Sequence, residues 1–198
     1  MRVGKIIVAV LVIVVGLASG GYGAIMWLKQ PGLGSQVSAG AWRADLDAGN
    51  QAADMFTRAR VALNGLLALN RSETIYFVAS QDDAGRQLSG ACRYDVTGMP
   101  PAARWWSITL YGEDLFLVAN ESNRFSFNQS NVTREDNGAF HIIVAATQQS
   151  GDWLPAPPGK FILALRLYNP DPALAQRPGS LAAPHIARGP CATTDGKP

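Results

Sequence analysis

The chain opens with an unbroken apolar run. From Ile6 to Leu28 there are 23 positions without a charge, fenced by Lys5 and Lys29. A helix needs ~20 such residues to cross a bilayer core, so the run predicts a transmembrane helix, with Trp27 near its end where an indole suits the interface. Residues 30–40 mix Pro, Gly and Ser without periodicity and read as a tether. Ala52, Phe56, Ala59, Leu63 and Leu66 then recur at helical spacing, with Met55 and Ala62 widening the stripe. With Asn50 as N-cap and Asp54 and Arg58 four apart on one side, the spacing predicts a helix over 50–69. Its apolar stripe is expected to pack on a sheet that follows.

From Glu73 onward the period changes to two. Residues 104–111, RWWSITLY, send Trp106, Ile108 and Leu110 to one side and Trp105, Ser107, Thr109 and Tyr111 to the other. Gly112, Glu113 and Asp114 make a polar break, and the run from Leu115 to Val118 is expected as the returning strand of a hairpin. Residues 74–79 are almost continuously apolar, the pattern of a strand covered on both faces. Residues 91–97 alternate around Cys92, Tyr94 and Val96, and residues 125–127 form a further short strand. Phe140, Ile142 and Val144 share one face of another strand. Phe161, Leu163, Leu165 and Leu167 alternate in the last strong strand, with Arg166 and Tyr168 on its other face. The stretch 151–159, GDWLPAPPG, reads as stiff and irregular because proline cannot donate to a ladder. Beyond Asn169 the chain reads as Pro-rich coil with a helical turn at 172–176. Short strands separated by turns, with no helices between them, predict an antiparallel β-sandwich or barrel. The expected organisation is an anchor over 1–29, a tether over 30–49 and a β-domain with a Pro-rich tail over 50–198.

Charge sharpens the topology. Arg2 and Lys5 lie before the apolar run and Lys29 closes it, whereas no acid lies in 1–29. The positive-inside bias places the N-terminus in the cytoplasm and the remainder across the membrane. Removing those three from the 17 bases leaves 14 against 15 acids, so the rest of the chain is close to neutral. The net charge of +2 is therefore a trace of topology and not a nucleic-acid footprint. A cleaved signal peptide is the rival reading, but apolar character resumes at Ala24 and the small residues Ala18, Ser19 and Gly20 make no A-x-A site. The expected location is the bacterial inner membrane, single-pass, with the domain in the periplasm. The four N-x-S/T sequons, at Asn70, Asn120, Asn128 and Asn131, matter only in a eukaryotic secretory route.

An exported domain with two cysteines, Cys92 and Cys191, invites a disulfide that pins the tail to the strand carrying Cys92. Two Cys and two His, His141 and His185, are too scattered for a metal set, and no cofactor is expected. No nucleophile elbow, P-loop or dinucleotide fingerprint occurs. Glu113 and Asp114 are adjacent at a turn tip, where paired carboxylates seldom converge for glycosidase chemistry. Asp152 beside Trp153 sets a carboxylate next to an indole, an arrangement suited to a sugar ring and its hydroxyls, and equally to a turn cap.

Three segments, RWWSITLY at 104–111, NRFS at 123–126 and WLPAPPGKFILALRLYNP at 153–170, resemble the bacterial family called domain of unknown function 1214. Residues 58–69 and ETIYF at 73–77 are similar to its leading helix and first strand. The resemblance implies a jelly-roll-like antiparallel β-sandwich with an N-terminal packing helix. It also implies kinship with a short, membrane-anchored branch, in which an anchor stands where longer members carry domain of unknown function 1254. Asp152 departs from the asparagine expected in the family pattern. The family implies no agreed activity. The expected function is a ligand-binding module, with a glycan or an envelope protein as partner. A carbohydrate-active hydrolase and a structural scaffold are the alternatives. The candidate ligand face comprises Arg104, Trp105, Tyr111, Asn123, Arg124, Asp152 and Trp153.

Overall fold

The computed structural model describes residues 2–28, 36–47, 49–50, 52–63 and 69–192. Helix α1 (Arg2–Leu28) carries a 25-residue apolar stretch, Val3–Trp27, none of it buried in the body. At 1.5 Å per residue the helix rises about 40 Å, against a hydrocarbon core of ~30 Å. By length and composition it is able to cross a membrane.

The body is a two-sheet β-sandwich. One sheet contains β1 (Gln36–Ala39), β2 (Trp42–Asp45), β3 (Thr74–Ala79), β5 (Ala103–Gly112), β6 (Ser126–Asn128) and β9 (Phe161–Pro170). Their spatial order is β1-β2-β3-β9-β5-β6, with every neighbouring pair antiparallel. The other sheet contains β4 (Cys92–Gly98), β7 (Phe140–Ala145), β8 (Asp152–Pro155) and β10 (His185–Cys191), in the order β10-β4-β7-β8. β7 and β8 run parallel, the one departure from antiparallel pairing among the described residues. The link 146–151 carries the chain back along β7 before Asp152 pairs with Ile142.

The core lies where the inward residues of both sheets meet. Trp106, Ile108, Leu163, Leu165, Leu167 and Phe77 come from the first sheet, and Tyr94, Val96, Phe140, Ile142, Val144 and Leu154 from the second, all fully buried. Trp106 lies against Phe140 with ring centroids 4.8 Å apart. Each such side chain contributes roughly 1.5–3 kcal/mol by leaving water. The disulfide Cys92–Cys191 links β4 to β10 across a sequence separation of 99. Helix α3 (Pro172–Gln176) stands where the helical turn was expected.

Several expectations change. Residues 36–45, expected within the tether, form the β1–β2 hairpin, because Trp42 is fully buried and its indole N–H donates to the Pro184 carbonyl at 2.7 Å. The helix α2 (Met55–Leu63) starts later than expected. Asp54, not Asn50, caps it: its carboxylate accepts the Phe56 and Thr57 N–H groups and the Thr57 hydroxyl. The Thr57 hydroxyl first, then its N–H, hold the Asp54 carboxyl below its ordinary pKa. Residues 64–68 of the expected helix lie outside the described residues. Phe56 packs edge-on against Trp27 of α1 at 4.5 Å and stays 39% exposed, so it is no core residue. Strand β3 is covered on one face and not both, since Val78 is exposed.

The expected hairpin also changes. Leu115 to Val118 is not a strand: Leu115 takes the left-handed φ of 67°, and Phe116 and Leu117 point outward. The strand that pairs with β5 beyond Gly112 is β6, with Ile108 opposite Phe127. Two further strands occupy stretches expected as irregular. β8 lies in the Pro-rich segment at a sheet edge, where a proline can be accommodated. β10 lies in the expected coil.

Candidate functional site

The candidate residues fall into separate places. β5 carries Trp105 and Tyr111 on the outer face of the six-stranded sheet, where Trp105 meets Tyr168 edge-on at 5.2 Å. Arg104, one position earlier, is exposed and belongs to the opposite side of the strand. Asn123 and Arg124 lie in the loop leading to β6. Asn123 has a left-handed φ of 48°, and the Arg124 guanidinium sits 5.2 Å from the centre of the Phe127 ring.

Trp153 belongs to a cleft of about 350 Å³, walled by the loop 118–122 and floored by the segment 155–158, with Ala146 and Gln148 at its side. Its indole N–H donates to the Ala145 carbonyl at 2.9 Å, which fixes the ring. The wall is fixed too. The Asn120 amide donates to the Val118 and Arg124 carbonyls, and its oxygen accepts the Arg124 N–H, so this side chain staples the loop. The polar side chains left at the cleft are Glu121, Ser122 and Gln148. Asp152 does not point its charge at a free site: its oxygens accept the Thr133 N–H at 2.6 Å and the Thr133 hydroxyl at 3.1 Å. That tie docks the loop before β7 onto β8.

The floor is held from below. Gly90 donates its N–H to the Gly159 carbonyl at 2.8 Å, and a Cβ there would stand 1.7 Å from the Pro157 carbonyl oxygen. Only glycine lets these two backbones approach so closely. The cleft is thus built on a contact that no side chain makes.

The family model described as protein of unknown function (DUF1214) matches residues 73–172, about half of the chain. The chain belongs to the DUF1214 family. The match spans β3 to the start of α3 and so takes in most of the sandwich, including the wall and floor of the cleft. The VPA0106 protein from Vibrio parahaemolyticus is similar in structure, with a TM-score of 0.59 and 25% identity. That likeness covers 70% of this chain and 36% of that one. A putative uncharacterized protein from Burkholderia cenocepacia has a TM-score of 0.39 and 16% identity, covering 64% of this chain and 32% of that one. This DUF1214 chain therefore spans about a third of the length of each of these structures. No curated protein matches it.

Two charged groupings of the DUF1214 chain escape a reading of the sequence. On the outer face of the four-stranded sheet, Asp95 receives a two-pronged pair from Arg93, at 2.7 and 2.8 Å, and lies 2.6 Å from His141 Nε2. Strand alternation gives Arg93 and Asp95 a common face, but only the register of β4 with β7 brings His141 to them. In the loop after β3, Asp82 is buried and its carboxylate pairs with Arg86 at 3.0 Å and Arg188 of β10 at 2.8 Å. Burial by itself would raise the Asp82 carboxyl. The Arg86 N–H and guanidinium and the Arg188 charge outweigh it and hold the group below its ordinary pKa. Among the described residues, no group of three or more His, Cys, Asp or Glu is placed to hold a metal.

Proposed function

We propose that this DUF1214 chain is a single-pass membrane protein whose sandwich lies in the periplasm and binds a glycan in the Trp153 cleft. The reading of its place rests on the 25-residue apolar helix at the N-terminus and on the Cys92–Cys191 disulfide, which belongs to an oxidising compartment. The bases before the helix favour a cytoplasmic N-terminus at the bacterial inner membrane. The observation that carries the function is the cleft itself: an indole held rigid by its own N–H, beside Glu121, Ser122 and Gln148 with their polar groups unspent. A sugar needs a flat apolar surface for its ring and acceptors for its hydroxyls. Binding is favoured over hydrolysis because Glu121 is the one acid among the lining residues, whereas a glycosidase uses two.

The test is a glycan array probed with the full chain in nanodiscs. Saturable binding that Trp153→Ala abolishes, with the far-ultraviolet circular dichroism and the unfolding midpoint close to wild type, is the expected result. An array silent for the wild type contradicts the reading. A second reading, a piece of an envelope scaffold, is favoured by Phe116 and Leu117, 74% and 50% exposed on the neighbouring loop. It predicts that Phe116→Ser removes a protein cross-link from intact membranes.

A further inference from the structure

The outer face of the six-stranded sheet carries a charge with no counter-charge among the described residues. Arg166 lies on β9, opposite Tyr76 of β3 and Ser107 of β5, and faces away from the core that Leu165 and Leu167 enter. Its Nη1 donates to the Thr109 hydroxyl at 3.0 Å and its Nη2 to the Tyr111 hydroxyl, and the guanidinium lies 5.3 Å from the centre of the Tyr111 ring. Both acceptors are neutral. No Asp or Glu among the described residues lies within ion-pair distance of it. A half-buried cation that has lost part of its water and gained no anion is out of balance. The other half-buried arginines among the described residues behave differently: Arg93 and Arg188 each hold a carboxylate.

The surroundings give the charge a shape. Along β5 and β9, the tall pair Trp105 and Tyr168 stands on one side of Arg166 and Tyr111 on the other. The small side chains Ser107, Thr109 and Ala164 lie low between them, each under 9% exposed. The result is a shallow trough with aromatic walls and a guanidinium in its floor. Two hydroxyls hold the guanidinium in place, so little freedom is lost when it binds. A guanidinium has five N–H donors, and those left over match the two oxygens of one carboxylate.

We infer that this trough is a binding site for a sugar acid, with Arg166 receiving the carboxylate and Trp105 and Tyr168 bordering the pyranose ring. The site is distinct from the Trp153 cleft and does not depend on it.

The experiment is isothermal titration of the full chain in nanodiscs with a galacturonate trisaccharide and, separately, with its neutral methyl ester. The acid is expected to bind saturably and the ester at least tenfold more weakly. Arg166→Gln, made in a Trp153→Ala background that silences the cleft and checked for fold by circular dichroism, should lose at least tenfold for the acid. Where Arg166→Gln does not fold, Arg166→Lys is measured instead, because it keeps the charge and removes the planar fork, and a severalfold loss is expected. Equal binding of acid and ester, no saturable binding of either, or wild-type affinity in the folded Arg166 variant overturns the inference.

Discussion

Arg188 of β10 reaches back to Asp82 in the loop after β3, Nε to Oδ2, at 2.8 Å, and the carboxylate it meets is buried. This pair, with the disulfide at the far end of the same strand, fastens the C-terminal strand to the sandwich. The Asp82 carboxyl is held below its ordinary pKa, so the folded state binds its proton less readily than the unfolded chain does. Its stabilisation is complete above the unfolded value of ~3.9 and is lost as the pH falls through the folded value. Asp82→Asn should cost about 3 kcal/mol at pH 7, the low end for breaking a buried pair because Arg86 is more than half exposed. Urea unfolding of both proteins at pH 7 and at pH 2.5 checks it: the gap should narrow at the lower pH.

The Cys92–Cys191 bond closes a long loop, with a sequence separation of 99. The chain-entropy model gives such a cross-link up to ~4.7 kcal/mol, and measured gains are often smaller. Cys191→Ser should therefore lower the unfolding midpoint and slow the chain on a non-reducing gel. Because Arg188 and Cys191 fasten one strand, adding Asp82→Asn to Cys191→Ser should cost less than the separate losses together.

Gly90→Ala tests the floor of the cleft. The new methyl would fall 1.7 Å from the Pro157 carbonyl oxygen, which is backbone and cannot swing aside. A loss of about 1–3 kcal/mol is expected from the forced displacement. Thermal melting reads the stability, and glycan titration should show weaker binding because Pro157 lines the cleft.

Adjacent tryptophans should behave oppositely. Trp106 is fully buried against Phe140, and Trp106→Ala should cost ~3–5 kcal/mol. Trp105 is partly exposed against Tyr168, so Trp105→Ala should cost ~1 kcal/mol, the worth of an aromatic pair. Chemical denaturation of the two variants separates them.

The strands that pack the centre were legible because their alternation is strict: Trp106, Ile108 and Leu110, then Phe140, Ile142 and Val144, then Phe161, Leu163, Leu165 and Leu167, all point into the core. Legibility failed where pattern and burial part company. The run from Leu115 to Val118 is apolar, yet a left-handed turn at Leu115 puts Phe116 in solvent. β10 sends essentially one apolar side chain, Ile186, into the core, too little for a period to show. β1 and β2 carry little pattern beyond Trp42, and Asn50 and Asp54 are equally good caps until the helix start is known. In the candidate site, Trp153 was readable as an indole beside an acid. The pairing of Asp152 with Thr133, of Arg188 with Asp82 and of Arg166 with Tyr111 depends on strand register, which no local spacing encodes.

The central claim, that the Trp153 cleft takes a glycan in the envelope, is tested most directly by photo-cross-linking in intact cells. A photoreactive amino acid placed at Gln148, on the cleft wall, is compared with one at Ala84, exposed in the turn after β3. Carbohydrate adducts from position 148 and none from position 84 are predicted. Adducts of protein alone, or the same adducts from both positions, would contradict the account.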